Sequence, residues 1–276
     1  MSFVVSPTSV DEAIAFLVDN PEARPMSGGA SLVAMKNARL IEASHFVSLA
    51  RIDSLRGIRR NADGSVTIGG MVPHRDTAAC DLLDGDLRMI RQAAGQIANR
   101  VVRNMGTIGG AVANADPAAD YLPVLVCADA QVEITGPGGK RLLPIRDYLV
   151  DWYETALEPA EIVTGIALPP AGSGPSVYRK LARTPGDFAT VSVACARDGD
   201  GVRVAVGACG PAPLRAPEAE RALAGQLDDP AAVAAFCEAL VALADPVDDV
   251  RGSAEYRLTL IPRMVAAAIR DVTGGL

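Results

Sequence analysis

Two short segments with adjacent glycines, about eighty residues apart, constrain this chain more than any other feature. They read Ser27-Gly28-Gly29-Ala30-Ser31-Leu32 and Gly106-Thr107-Ile108-Gly109-Gly110-Ala111. Because glycine has no Cβ, such segments let the bare backbone approach a ligand closely. Successive N–H groups form concave nests for phosphate oxygens, and a diphosphate has enough oxygens to occupy two of them. The two segments together predict a dinucleotide site, whereas a lone pair such as Gly69-Gly70 fits an ordinary tight turn.

Length and composition set the outer limits on fold class. A chain of 276 residues predicts two or three domains. With 49% hydrophobic and 21% charged residues it is typical of a soluble globular protein. No apolar run reaches the roughly 18 residues that a membrane span requires. The first residues, 1–7, lack the pattern of a signal peptide, so we expect a cytoplasmic protein.

Charge and residue spacing exclude several function classes. The net charge of -7 would repel nucleic acid, and no basic cluster offsets it. The two histidines, His45 and His74, have no metal-binding spacing and are too few to favour a serine triad. The cysteines are odd in number and never closer than fourteen residues, which predicts core thiols and no metal cluster: Cys80, Cys127, Cys195, Cys209 and Cys237.

The first 57 residues are predicted to form a small αβ lobe. Ser9-Val10-Asp11-Glu12 has the capping-box pattern and starts a helix with an apolar face. Residues 46–49 predict a strand that follows the first glycine segment.

Residues 58–172 predict a second, α+β lobe. Residues 61–64 and 136–139 predict the turns of two hairpins. Asp116-Pro117 predicts a helix start, and residues 122–128 are apolar enough to be buried. A further helix before the second glycine segment is marked by Leu87, Ile90, Ala94 and Ile97.

Residues 169–175 are rich in proline and glycine and predict a linker, so a third unit is placed at 175–276. A hairpin is predicted around residues 198–201, followed by helices at 217–223, 231–243 and 254–269. Pro262 lies inside the last of these, where it predicts a kink or two shorter helices.

The common nucleotide motifs are absent. The glycine segments contain no Gly-x-x-x-x-Gly-Lys-Ser/Thr, which excludes a P-loop. No Gly-x-Gly-x-x-Gly follows a strand and opens a helix, so a Rossmann site is unsupported. Asp120 lies close behind the second segment and is a candidate acceptor for a cofactor hydroxyl.

Longer strings around both segments carry a family resemblance. The segment at 27–32, with Met35, Arg39 and Leu40, and the string from Val102 to Asp120 closely resemble the FAD-binding medium subunit of the molybdenum hydroxylases, the carbon monoxide dehydrogenase and xanthine dehydrogenase group. The resemblance covers essentially the whole chain and continues through Glu161-Ile162-Val163, Tyr178-Arg179-Lys180-Leu181, Arg183, Asp187, Phe188 and Ala254-Glu255-Tyr256-Arg257.

This resemblance implies an α+β fold: a two-lobed FAD-binding domain of the vanillyl-alcohol oxidase / p-cresol methylhydroxylase type, then a smaller domain with a three-stranded sheet and helices. It implies that Ser27 to Leu32 and Thr107 to Ala111 contact the cofactor, with both loops at the pyrophosphate. Asp120 would accept a hydrogen bond from the cofactor. Ile97 and Val163 would make apolar and backbone contacts, Lys180 would lie beside the flavin, and the aromatic face of Phe188 would cover the ring.

Each of these residues also has a simpler interpretation. Asp120 fits a helix cap, Lys180 a solvated strand position, Phe188 a core residue, and Ile97 helix packing. Many members of the family have Asn at the position of Ala111, so a side-chain contact is lost here and only the backbone N–H is expected to remain.

The resemblance implies an electron-relay subunit. The residues agree with this, since the sequence offers no nucleophile, metal site or acid-base pair of its own, and the chemistry would belong to the cofactor. A molybdenum-pterin large subunit and a 2Fe-2S small subunit would be its partners, in a dimer of heterotrimers. FAD would pass the electrons to an external acceptor such as a quinone, NAD or oxygen. Two other interpretations stay open: a stand-alone flavin oxidoreductase, and a flavin-free scaffold subunit.

Overall fold

The computed structural model describes residues 3–43 and 45–274. The strands are β1 (Phe3–Val5), β2 (Arg24–Met26), β3 (His45–Ser48), β4 (Ile58–Arg60), β5 (Val66–Gly69), β6 (Gln131–Gly136), β7 (Gly139–Pro144), β8 (Leu149–Asp151), β9 (Glu154–Thr155), β10 (Ile162–Leu168), β11 (Ser176–Leu181), β12 (Val191–Asp198) and β13 (Gly201–Gly207). The helices are α1 (Val10–Asp19), α2 (Ala30–Asn37), α3 (His74–Ala79), α4 (Arg88–Gln96), α5 (Arg100–Met105), α6 (Ile108–Asn114), α7 (Tyr121–Cys127), α8 (Ile145–Tyr148), α9 (Pro217–Leu223), α10 (Pro230–Ala242) and α11 (Ala254–Thr273).

A small parallel sheet, ordered β1-β3-β2, begins the chain. The predicted capping box starts α1, where the Ser9 hydroxyl accepts a hydrogen bond from the Glu12 N–H at 3.1 Å. The Glu12 carboxylate in turn accepts from the N–H of Thr8 at 2.8 Å. The predicted strand at 46–49 is confirmed as β3. The apolar face of α1 packs with buried residues of β3 and with residues from farther along the chain, including Ile162.

The second sheet is antiparallel, ordered β4-β5-β10-β6-β7, and both predicted hairpins are confirmed in it. Helix α7 is buried along its whole length in the core that it shares with this sheet, as the apolar run predicted. The helix start predicted at Asp116-Pro117 is wrong. The Asp116 carboxylate accepts from the N–H of Ala118 at 2.9 Å, and this local turn competes with a helix. The helix begins at Tyr121 instead.

The third sheet, ordered β11-β12-β13, contains the hairpin predicted around residues 198–201. Both of its faces are buried, and they carry side chains of different size. Residues such as Val193 and Val204 pack with the C-terminal helices, whereas Ala194 and Ala205 pack with the core that contains α4 and α7. Because successive side chains of a strand point to opposite faces, the valines lie on one face and the alanines on the other. The sheet is therefore a middle layer, with short side chains toward α7.

Helix α11 runs unbroken through Pro262. The sequence predicted a kink or two shorter helices, and the second of these alternatives is wrong, although a proline in a helix interior costs about 3 kcal/mol. Ile261 and Val265, on either side of the proline, are fully buried in the C-terminal core. Their burial offsets the local cost.

Four of the cysteines are buried and Cys80 is partly buried, which confirms the prediction of core thiols. Within residues 3–43 and 45–274 no group of histidine, cysteine and acidic residues is arranged to hold a metal ion. None of the helices in these same ranges combines the length and the apolar character that crossing a bilayer requires.

Charged side chains connect the third sheet to the second lobe. Arg203 on β13, whose side chain is 14% exposed, donates to the Asp86 carboxylate at 2.5 Å. Asp86 also accepts from the N–H of Gly172, in the loop between β10 and β11, at 2.7 Å. One carboxylate thus holds both the loop and the sheet.

Replacing Asp86 should destabilise the protein because it leaves the Arg203 guanidinium buried without its closest partner. We expect Asp86→Ala to lower the free energy of unfolding by about 3 kcal/mol, measured by denaturant titration. Asp198→Ala is the matched control, since Asp198 meets the same arginine at 3.8 Å but is 67% exposed. Its loss should stay below about 1 kcal/mol. Equal losses in the two variants would contradict this assignment.

Candidate functional site

The first glycine segment forms the N-terminus of α2. Gly29 is the residue before the helix and has φ +73, a conformation that favours glycine. The first helical hydrogen bond runs from the N–H of Val33 to the carbonyl of Gly29. In the described part of the chain, the N–H groups of Gly28 to Leu32 find no backbone or side-chain acceptor. Free N–H groups at a positive helix end suit an anion such as phosphate.

The second glycine segment begins α6 and differs from the first, because its N–H groups from Ile108 to Ala111 are already hydrogen-bonded within the protein. The Thr107 hydroxyl accepts from the N–H of Gly110 at 3.1 Å, and the Thr107 carbonyl accepts from Ala111 at 3.0 Å. The N–H of Ile108 donates to Val72. The backbone donor that the sequence analysis expects at Ala111 is therefore engaged within its own helix.

The two segments touch each other through bare backbone. A Cβ added at Gly28 would lie 1.7 Å from the carbonyl oxygen of Met105. A Cβ added at Gly110 would lie 3.4 Å from the Cβ of Ser27. The first segment thus rests on the second, and glycine at 28 is a condition of that contact.

Gly70 supports the second segment from below, a role that sequence reasoning missed. The N–H of Gly109 donates to the Gly70 carbonyl at 3.0 Å, and the N–H of Gly70 donates to Thr164 at 2.8 Å. A Cβ on Gly70 would lie 2.5 Å from the carbonyl oxygen of Val163. Val163 therefore lies beneath the glycine segments. No signal in the sequence separates Gly70 from an ordinary turn glycine.

Asp120 is the centre of a buried polar cluster. It is 5% exposed, and the Lys180 ammonium lies 2.8 Å from its Oδ1. The Tyr178 hydroxyl donates to Oδ1 at 2.7 Å. Burial raises the pKa of the Asp120 carboxyl, and the Lys180 charge and the Tyr178 hydroxyl oppose that rise. Sequence reasoning singled out Asp120 and Lys180 but missed the contribution of Tyr178.

Ile97 lies just after α4, partly buried against the core of the second lobe. The Arg103 guanidinium donates to the carbonyls of Ile97 and Ala98 at 2.7 and 2.8 Å, which fixes this loop. Gly186, from the loop after β11, lies against it, since a Cβ there would be 2.7 Å from the Ala98 carbonyl oxygen. The Ile97 loop therefore meets the C-terminal unit.

Phe188 lies at the same junction. The next residue, Ala189, donates its N–H to the Ala118 carbonyl at 3.4 Å, two residues before Asp120. The Phe188 ring is 39% exposed, and the Arg251 guanidinium carbon lies 5.1 Å from the ring centroid. The ring thus keeps exposed surface while a cation packs against it.

These positions remove three of the simpler interpretations. The Asp120 side chain makes no capping hydrogen bond to α7. The Lys180 side chain is 5% exposed and ion-paired, so it is not a solvated strand residue. Phe188 is too exposed to be a core residue. Only Ile97 packs as the simpler interpretation expects.

The candidate residues form two groups. The glycine segments, with Val163 beneath them, lie at the start of α6, and Asp120 lies just before α7 with Tyr178 and Lys180. His74 connects the two groups, because its backbone N–H donates to the Gly106 carbonyl at 3.0 Å and its ring centroid lies 5.3 Å from that of Tyr121.

Comparisons with known proteins agree with this geometry. A family model described as "FAD binding domain in molybdopterin dehydrogenase" matches residues 1–171, and one described as "CO dehydrogenase flavoprotein C-terminal domain" matches residues 176–272. The chain belongs to this family of FAD-binding medium subunits. It is a subunit of the molybdenum-containing dehydrogenase class, as the sequence motifs predicted.

Relatives in the family match the chain over nearly its full length. The carbon monoxide dehydrogenase medium chain of Afipia carboxidovorans is 39% identical over 95% of this chain and 93% of its own. The glyceraldehyde dehydrogenase medium chain of Sulfolobus acidocaldarius is 30% identical over 96% of this chain and 95% of its own. A crystal structure of Cu,Mo-CO dehydrogenase in a cyanide-inactivated form has a matching chain with a TM-score of 0.94 and 34% identity, covering 100% of this chain and 98% of that one. The predicted α+β fold class is confirmed.

Gly28 provides a direct test of the contact between the two segments. Gly28→Ala must push the Met105 carbonyl away, and we expect it to lower the free energy of unfolding by about 3 kcal/mol. Gly95→Ala is the control, because Gly95 lies in α4 and an added Cβ meets nothing within 4 Å. It should gain about 0.5 to 1 kcal/mol from helix propensity. Thermal unfolding measures both, and a neutral Gly28→Ala would show that the segments do not touch.

Proposed function

We propose that the chain is the FAD-carrying medium subunit of a heterotrimeric molybdenum hydroxylase, relaying electrons from an iron-sulfur subunit to an external acceptor. The observation that carries the proposal is the run of free N–H groups from Gly28 to Leu32 at the start of α2. Residues 28–32 are partly buried or exposed, so these N–H groups, which have no partner within the helix, are accessible to a ligand. The first segment is held in place by contacts with bare glycine backbone. Its open N–H donors fit the oxygens of a diphosphate.

The second segment has a different part in this site. Its N–H groups from Ile108 to Ala111 are engaged within the protein, so we propose that these residues contact the cofactor by packing and support the first segment, while the N–H of Thr107 stays open to the cofactor. Because residue 111 is alanine, the side-chain contact expected from asparagine is missing. The backbone N–H of Ala111 is already engaged and does not replace that contact. The diphosphate depends mainly on the first segment.

Asp120 and Lys180 fit the flavin half of the cofactor. Each carboxylate oxygen has two lone pairs; Oδ1 meets both Tyr178 and Lys180, while the contact of Oδ2 is with Lys180 at 3.1 Å. Oδ2 therefore keeps acceptor capacity for a cofactor hydroxyl or ring N–H. Phe188, exposed at the same junction, would cover the ring and limit access to it.

FAD supplies the redox chemistry when it is bound, since it exchanges electrons in steps of one or two. The chain's own residues bind and orient it and exclude water. His74, whose backbone N–H donates to the Gly106 carbonyl, is 5% exposed, and its burial lowers its pKa to about 4, so its imidazole is neutral at pH 7.

Partner subunits are part of the proposal. The cysteines are scattered through separate elements, which supports 2Fe-2S clusters held by another chain. Molybdenum-pterin would likewise lie on a large subunit, in a dimer of heterotrimers in the cytoplasm. The relatives described above are named for carbon monoxide and glyceraldehyde, and we propose that the large subunit rather than this chain selects the substrate.

The visible absorption spectrum of the purified full chain tests the proposal. We expect flavin bands and close to one FAD per chain, with the cofactor identified after denaturation. A colourless protein that also refuses added FAD would overturn the relay and leave the scaffold interpretation. Turnover of a small substrate without any partner subunit would instead favour the stand-alone oxidoreductase.

A charge placed on the first segment tests where the diphosphate binds. Ser31 is exposed in the first turn of α2, and an acidic residue there suits the helix dipole. Ser31→Asp should therefore keep or slightly raise the melting temperature of the cofactor-free chain while it repels the diphosphate. We expect the dissociation constant of FAD to rise about tenfold, equivalent to about 1.4 kcal/mol.

Ser31→Asn is the matched control, because asparagine has the shape of aspartate without its charge. The affinity of this variant for FAD should stay close to that of the unmodified chain. If both variants bind FAD as the unmodified chain does, the diphosphate does not lie at the first segment.

A further inference from the structure

The buried Asp120 cluster joins two parts of the chain that two different family models match. Asp120 lies in the region 1–171, whereas Tyr178 and Lys180 lie in the region 176–272. Both of the latter are on β11 and are two residues apart, so their side chains lie on one face of the strand. That face meets the start of α7. The C-terminal unit therefore supplies both donors to the Asp120 carboxylate.

Tyr178 is fixed at this position by contacts of its own. Its N–H donates to the Gln92 side chain of α4 at 2.7 Å, and its side chain is 4% exposed. Burial and the nearby Asp120 charge raise the pKa of the Tyr178 hydroxyl well above its ordinary value. The hydroxyl keeps its proton throughout the neutral range, so it is a permanent donor to Oδ1.

Tyr178 and Lys180 contact the two oxygens of the Asp120 carboxylate differently. This difference determines which oxygen can accept a further hydrogen bond. The Tyr178 hydroxyl donates to Oδ1 only, whereas the Lys180 ammonium lies 2.8 Å from Oδ1 and 3.1 Å from Oδ2. A lysine ammonium is a compact charge on a flexible stem and does not by itself fix the rotation of a carboxylate. The phenol is rigid and directional, and its hydrogen bond leaves Oδ2 as the oxygen with spare capacity.

We propose that Tyr178 is a positioning residue for the flavin: it orients the Asp120 carboxylate so that Oδ2 faces the cofactor. This inference rests on the proposed function, and it assigns to the C-terminal unit a part in holding the flavin. Tyr178 need not touch the cofactor, since it acts through Asp120. The Lys180 charge opposes the rise that burial causes in the pKa of the Asp120 carboxyl, and the Tyr178 hydrogen bond fixes the orientation of that group.

The test is the dissociation constant of FAD for the full chain after its cofactor has been removed, followed by quenching of flavin fluorescence. Tyr178→Phe removes one hydroxyl and keeps the ring. Because hydrogen bonds to charged groups are the stronger ones, we expect the constant to rise about tenfold. Tyr148→Phe is the matched control, since this buried tyrosine donates to the Val112 carbonyl at 3.4 Å, away from Asp120. Its affinity for FAD should be unchanged.

A double-mutant cycle separates positioning from general damage to the fold. If Tyr178 acts through Asp120, Tyr178→Phe should have little further effect on FAD binding in an Asp120→Asn background. The melting temperature of each cofactor-free variant is recorded as well. Additive effects on FAD binding, or equal losses in Tyr178→Phe and Tyr148→Phe, would overturn the inference while the proposed function stands. An unmodified chain that binds no FAD would overturn the proposed function itself.

Discussion

Direct contact between backbone atoms is the constraint on which the candidate site depends. Gly28 rests on the carbonyl of Met105, and Gly109 rests on Gly70, which in turn rests on β10. A side chain at any of these three glycines would separate the layers, because its Cβ would come within 2.6 Å of a backbone atom. Through this stack the second sheet determines where the second segment lies, and the second segment determines where the free N–H groups of the first are held.

Buried charges form a second constraint, at the contact between the second lobe and the third sheet. The pairs Asp120–Lys180 and Asp86–Arg203 both connect the second lobe to the third sheet, and each is largely buried. A buried pair stabilises weakly compared with apolar packing but is costly to break, so it favours one arrangement over others. These pairs therefore specify how the sheet sits on α7 more than they add to stability.

Much of the fold followed from local sequence signals, because capping, turn chemistry and periodicity act over a few residues. The α1 capping box and the antiparallel hairpins were predicted in this way. The errors arose where another interaction overrode the local signal. A turn at Asp116-Pro117 replaces the predicted helix start. Burial of the neighbouring residues keeps α11 continuous at Pro262. For the site, motifs indicated Asp120 and Lys180, but Gly70 and Tyr178 act through contacts with residues distant in sequence, and no local pattern encodes such contacts.

The two faces of β12 have a consequence for motion. Alanines on one face bring α7 close and valines on the other anchor α11, so a hinge at the sheet would open both cores together. Any displacement of the third sheet would also have to break the buried pairs Asp120–Lys180 and Asp86–Arg203. We therefore expect the sheet to follow the second lobe rather than to move against it.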